Sequence, residues 1–345
     1  MKLIPVKDAC NILDVSDKTI RNWIEEGKLD RHEDDKGNTV LDKRQILESK
    51  PTVICFFNQK GGVSKTNSAA IMMDYYEKLY SLRHDKDNES RKKKILVVDI
   101  DPQSSLSQIL FTDKDLYGDI DDNNDFNLEL NNEVKIKKRN SNYLTLYDFF
   151  YYGESLNNIV RKYNDYIDIL PSDILISDKG DVDFLELPKY KSAFYSFFRK
   201  YSLVIIDTQP AINSLSRLGI LLSNYILCPL VPTDNAFRGL GQAIRTIRQM
   251  IPYNRDLIDF KCFLSVNKQS KTNIREYVIE KYRKHLTPIN KILNNTMPEF
   301  IGIVERETVK QNLFFRYEND SKSKKSIDMI NCLMDEIDNI IYNER

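Results

Sequence analysis

Residues 53–66 run Val53-Ile54-Cys55-Phe56-Phe57-Asn58-Gln59-Lys60-Gly61-Gly62-Val63-Ser64-Lys65-Thr66. The apolar run at 53–57 predicts a buried strand, and the pattern from about Thr66 to Tyr80 predicts a helix. A strand, a glycine-bearing loop, Lys-Thr and a helix are the context in which a chain cradles phosphate. Backbone N–H groups and a helix N-terminus face the anion, Lys65 reaches the β- and γ-phosphates, and the Thr66 hydroxyl ligates Mg²⁺. The strict G-x-x-x-x-G-K-[ST] pattern is not met, because Asn58 and Ser64 stand where glycines would. The segment reads K-G-G-x-x-K-T, with an additional lysine at Lys60.

Downstream, short apolar runs alternate with helical stretches. Strands are expected at 95–98, 167–170, 203–206, 225–231, 260–266 and 301–304. Continuous rather than alternating apolar strands imply burial on both faces, hence a doubly wound α/β fold with a mainly parallel sheet under helices. Polar stretches at about 83–94 and 113–142 look like surface insertions on this fold. The run Leu203-Val204-Ile205-Ile206-Asp207 has the physical form of a Walker B strand, which holds its carboxylate rigidly against Mg²⁺ or its water shell. The run ending Val97-Val98-Asp99-Ile100-Asp101-Pro102-Gln103 puts a carboxylate at the mouth of the sheet, where ligands collect.

The loop at 58–66 resembles the deviant Walker A motif of the ParA/MinD ATPases, and that family's D-x-D-P-Q and Walker B segments follow in order, so the resemblance covers roughly residues 51–345. It implies a P-loop ATPase that binds ATP and Mg²⁺. Lys60 would reach across a nucleotide-sandwiched homodimer to the partner's phosphates, much as an arginine finger does. Asp101 would orient or activate the attacking water, and Asp99 would support Mg²⁺ beside Asp207 and Thr66. Lys60, Gly61, Gly62, Val63, Ser64, Lys65, Thr66 and Asn67 would bind nucleotide, with Asn267 at the adenine edge. The family usually carries glycine before the second lysine and D-x-P-P at Walker B; here those places hold Ser64 and Gln209. Within that family the rival to DNA partition is MinD-like positioning at the membrane; on the partition reading the resemblance implies a small DNA-binding adaptor of ParB type and a cytoplasmic, nucleoid-associated place.

Residues 1–49 read as a separate module. Pro5 is expected to open a helix, Ser16 to cap a second one carrying Ile20, Trp23 and Ile24, and Gly27 to stop it. Lys36, Gly37 and Asn38 suit the tip of a hairpin wing, and Asp42 caps a further short helix. The segment resembles the helix-turn-helix of MerR-type and excisionase-type DNA-binding domains. Asp17, Lys18, Arg21 and Asn22 then lie on the outer face, with Lys18, Arg21 and Asn22 as operator contacts.

Formal net charge is zero over 345 residues, so any nucleic-acid surface depends on uneven charge. Residues 113–133 hold eight acids against Lys114, whereas 236–285 hold eleven bases against four acids. Lys271, Arg275, Arg306 and Lys310 are the candidate contacts for DNA without sequence preference. Five scattered cysteines without a C-x-x-C pair suit buried thiols in a reducing compartment rather than a disulfide framework or zinc site. The last helical stretch, 326–342, carries four acids, which argues against anionic lipid and so against a membrane partner. The expected function is ATP-driven DNA segregation with autorepression through residues 1–49. The alternative is a transcription regulator switched by nucleotide with little hydrolysis, against which Lys60 and Asp101 argue, since a pure sensor needs neither.

Overall fold

The computed structural model describes residues 2–13, 15–83, 93–112, 143–178, 183–265, 273–300, 302, 303, 305, 308 and 310–342. Of the insertions expected at about 83–94 and 113–142, residues 84–92 and all of the second lie outside the described residues, as does the acidic run within the second.

Strands rich in β-branched and aromatic residues build a seven-stranded sheet. In chain order they are β4 (Thr52–Phe56), β5 (Ile95–Asp99), β6 (Arg161–Lys162), β7 (Ile167–Leu170), β8 (Leu203–Asp207), β9 (Tyr225–Leu230) and β10 (Asp259–Leu264). Their spatial order is β10-β9-β4-β8-β5-β7-β6, parallel throughout except for the β6–β7 edge. Successive side chains serve two cores. Val53, Cys55, Leu96, Val98, Val204 and Ile206 face one, while Ile54, Phe56, Ile95, Val97, Leu203 and Ile205 face the other. That double burial is why the strands are apolar without alternation. Helix α4 (Lys65–Arg83) and the helix Lys324–Tyr342 cover the second face, the latter through Ile327, Ile330, Leu333, Met334, Ile337 and Ile341. The helix Ser214–Leu222 crosses the first face so closely that a Cβ on Gly219 would stand 2.8 Å from Thr208 Cγ2 and 3.2 Å from Cys55 Sγ. Among the described residues no helix is long and apolar enough to cross a membrane.

The apolar run at 301–304 is not a strand at its described positions, since Gly302 and Ile303 are helical. Phe300 and Ile303 pack against the second core, so their apolarity serves helix-side burial rather than pairing.

The first 49 residues form β1 (Leu3–Pro5), α1 (Val6–Leu13), α2 (Asp17–Glu25), β2 (His32–Glu33), β3 (Thr39–Asp42) and α3 (Lys43–Glu48), with the antiparallel order β1-β3-β2. Pro5 ends β1, paired in register with Val40 on β3, and stands directly before the first residue of α1, Val6. Ser16 Oγ accepts from Thr19 N at 3.2 Å and Asp42 Oδ1 from Arg44 N at 3.0 Å, so both expected caps form. Gly27 and Gly37 take the left-handed φ values of 70° and 76° that end α2 and turn the hairpin. Ala9, Leu13, Ile20, Leu29, Leu41 and Ile46 make a small core of their own.

Candidate functional site

The carboxyl ends of β4, β5 and β8 converge because the strands are parallel and in register, Phe56 opposite Asp207 and Asp99 opposite Asp207. The loop from β4 to α4 therefore overhangs two carboxylates. Gly62 and Ser64 both have left-handed backbone, with φ of 70° and 65°. Serine thus adopts the conformation that glycine would take more easily, and the loop turns into α4 at Lys65 regardless. Asn58 pins the start of the loop. Its fully buried Nδ2 donates to Pro229 O at 2.8 Å, and its Oδ1 accepts from Lys60 N at 3.1 Å. The far side is held by Ser265 Oγ, which donates to Val63 O at 2.9 Å.

Lys65 is 6% exposed and aims Nζ at the Lys60 carbonyl, 3.4 Å away. Burial holds its ammonium below the usual lysine range, against the pull of Asp207 and Asp101. Thr66 donates its hydroxyl to Asp207 Oδ2 at 2.6 Å, while the other oxygen, Oδ1, is buried with no hydrogen-bond partner among the described residues. Burial raises the Asp207 carboxyl well above the normal carboxylate range, and neighbouring Asp99 adds to the rise. A hydroxyl, a buried carboxylate with an orphaned oxygen and a lysine at a helix N-terminus suit a divalent cation carried on phosphate. Among the described residues no group of three or more His, Cys, Asp or Glu side chains could hold a metal alone, so the phosphates would complete the shell.

Asp99 is placed beside Asp207 but engaged elsewhere. Its Oδ2 accepts from Ser107 N and Oγ at 2.8 and 2.7 Å, and its Oδ1 accepts from Asp101 N at 3.1 Å. It thus anchors the backbone of Asp101, whose own Oδ1 accepts from Gln103 N at 2.9 Å. Ser107 Oγ, on the helix Ser105–Leu110, also accepts from Ser172 N at 3.2 Å, tying that helix to the segment after β7. Lys60 stands at the mouth, where Nζ donates to Thr233 Oγ1 at 3.0 Å. Ser107, Ser172 and Thr233 escaped the sequence reading. Only Thr233 left a local signal, as a helix-capping type directly before the helix Asp234–Met250.

The proposed DNA contacts divide. Lys18, Arg21 and Asn22 lie along α2, with Arg21 paired to Asp17. Asn267, Lys271 and Arg306 lie outside the described residues, as does the side chain of Arg275. Lys310 donates its ammonium to the carbonyls of Gln108 and Phe111, closing the end of α5 (Ser105–Leu110).

Residues 51–260 match the family model described as AAA domain. Over 256 residues the chain is 24% identical to the virulence plasmid ParA family protein pGP5-D of Chlamydia psittaci, covering 73% of this chain and 85% of that protein. It is 22% identical over 260 residues to the chromosome-partitioning ATPase Soj of Treponema pallidum, covering 73% and 85%. The cobyrinic acid a,c-diamide synthase of Mycobacterium smegmatis, solved with ADP and magnesium, superposes with a TM-score of 0.55 at 19% identity, over 78% of this chain and 96% of that one. That last likeness is one of fold.

Proposed function

The chain belongs to the AAA-domain family matched over residues 51–260, and on that premise we propose that it is a DNA partition ATPase of ParA/MinD type that closes around ATP as a homodimer. One observation carries the reading: the Thr66 hydroxyl meets Asp207 beneath a lysine-bearing loop, and the second Asp207 oxygen is left buried and unpaired among the described residues. Thr66 and Asp207 would hold Mg²⁺, which neutralises charge on the β- and γ-phosphates. Lys65 binds the same phosphates. Asp101, fixed through its amide by Asp99, accepts the proton of the attacking water. Lys60 supplies a positive charge to the partner's nucleotide, and Asn267, outside the described residues, is the candidate for the base edge.

The ATP-bound dimer would coat DNA without sequence preference through Lys271, Arg275 and Arg306. Lys310 would join them only by leaving the two carbonyls it now serves. Residues 1–49 would read the operator of the protein's own transcription unit as a helix-turn-helix, and a ParB-type adaptor would stimulate hydrolysis on the nucleoid. Steady-state ATP turnover, measured against protein concentration with and without random-sequence DNA, tests the reading. Turnover per subunit should rise with concentration and again with DNA. A constant rate, indifferent to both, would favour a nucleotide-switched regulator.

A further inference from the structure

Lys60 is held within its own subunit. Its Nζ donates to Thr233 Oγ1 at 3.0 Å, and the same hydroxyl oxygen caps the helix Asp234–Met250 by accepting from Ala236 N at 3.3 Å. The stem of Lys60 runs beside that helix where Gly239 leaves room: a Cβ on Gly239 would lie 4.0 Å from Lys60 Cβ. The place is electrostatically poor for a cation. The N-terminal end of a helix carries the positive end of its dipole, and among the described side chains the ammonium meets there only a neutral hydroxyl already shared with a backbone N–H. Among the described residues no carboxylate forms an ion pair with it.

We propose that Thr233 is a positioning residue that parks Lys60 weakly against its own subunit, so that the strength of this contact sets how readily the lysine is released to the partner's phosphates. The proposal rests on the reading of Lys60 as acting in trans. A neutral acceptor at position 233 keeps the lysine extended along the helix without trapping it. A carboxylate there would hold the same cation in a charge-assisted bond and resist its transfer.

The test compares wild type, Thr233→Asp and Thr233→Ser, each with Lys60 intact and as Lys60→Ala. Turnover per subunit is read against protein concentration at saturating Mg²⁺-ATP, and ATP-dependent dimerisation is read by sedimentation velocity. Asp and Ser cap helices as well as Thr does, so the cap survives in both variants. Thr233→Asp should move the half-maximal concentration up by roughly tenfold, the gain of a charge-assisted over a neutral hydrogen bond. Thr233→Ser should stay within about twofold of wild type, because it keeps the hydroxyl. With Lys60→Ala the three residues at 233 should behave alike. An unmoved midpoint in Thr233→Asp overturns the parking role, and so does a shift that persists without Lys60. If Lys60→Ala alone leaves the rate and its concentration dependence intact, the trans reading itself is overturned.

Discussion

Arg44 on α3 and Asp338, 294 residues later on the helix Lys324–Tyr342, form a two-pronged ion pair, with Nη2 donating to Oδ1 at 2.7 Å and Nη1 to Oδ2. Arg44 Nε also donates to Glu48 Oε1 at 2.8 Å, and the guanidinium lies 4.5 Å from the Tyr342 ring centroid. With side chains only 17%, 9% and 8% exposed at Arg44, Asp338 and Glu48, the contact fastens the first 49 residues to the helices that cover the sheet. Removing one member of such a pair strands the other in a poorly solvated place. Arg44→Ala should therefore cost about 2–3 kcal/mol in urea unfolding, and Arg44→Lys most of that, since it loses both the fork and the ring contact. A destabilisation below about 0.5 kcal/mol would class the pair with ordinary surface ion pairs.

Nucleotide binding and hydrolysis should separate by residue. Lys65→Ala removes the buried ammonium and should abolish detectable binding of a fluorescent ATP analogue. Asp101→Ala leaves the cradle intact, so it should keep nucleotide and the dimer while turnover falls by ~10²-fold or more. Lys60→Ala should bind ATP and lose the concentration-dependent part of the rate, about 10³-fold by analogy with other charges supplied in trans. Undiminished turnover in Asp101→Ala would remove that residue from the chemistry.

Ser64 occupies left-handed backbone at φ 65°, which costs a non-glycine residue about 1 kcal/mol. Ser64→Gly relieves that strain but frees the unfolded chain, so a net gain of about 0.5 kcal/mol in chemical denaturation is expected. Ser64→Val, β-branched at the same φ, should lose stability and ATP affinity together. Equal stability of the three variants would show that the loop tolerates the conformation without strain.

The parallel sheet is legible in the sequence because its central strands β4, β5, β8 and β9 are buried on both sides, leaving unbroken runs such as Val204–Ile206. The same signal misleads at 301–304, where the described residues Gly302 and Ile303 are helical. That Thr66 and Asp207 come together is legible because the loop follows β4 and Asp207 ends β8, the parallel strand beside it. Thr233 is not, since its role depends on a contact across 173 residues that only the β9–β4 adjacency creates. Asp99 reads as metal support from its place in a motif, but the direction of its oxygens depends on Ser107, eight residues on.

Burial pushes the Asp207 carboxyl up to about 8 and the Asp99 carboxyl up to about 7, against 3.8 in the unfolded chain. Between those values the folded protein keeps protons that the unfolded protein has lost. The nucleotide-free stability from these groups is therefore fully present below about pH 4 and is lost as pH rises toward 7–8. Asp207→Asn should flatten that slope in thermal melts at constant ionic strength. Mg²⁺-ATP draws on the ionised form, so binding near pH 7 should release protons, detectable by calorimetry in buffers of different ionisation enthalpy. An unchanged slope in Asp207→Asn would show that the group ionises normally in the folded state.

Two DNA activities should respond to different mutations. The module of residues 1–49 holds nearly balanced charge, so it has little general attraction for phosphate, and on the proposed reading it would depend on directed contacts from Lys18, Arg21 and Asn22, which are exposed on α2. Arg21 meets Asp17 in an exposed pair, which costs little to exchange for a base edge or phosphate. The stretch at 236–285 has a net excess of bases and suits unspecific attraction. Arg21→Ala with Asn22→Ala should therefore abolish protection of the operator in footprinting. ATP-dependent binding to random DNA, and its salt dependence, should survive. Charge reversal at Lys271 and Arg275 should do the converse, lowering the salt slope by about one for each phosphate no longer neutralised. The Arg44–Asp338 pair makes the contrast demanding, because it ties the first 49 residues to the helix Lys324–Tyr342. Disappearance of both activities in Arg21→Ala/Asn22→Ala, with folding and ATP binding intact, would establish one composite DNA surface in place of two.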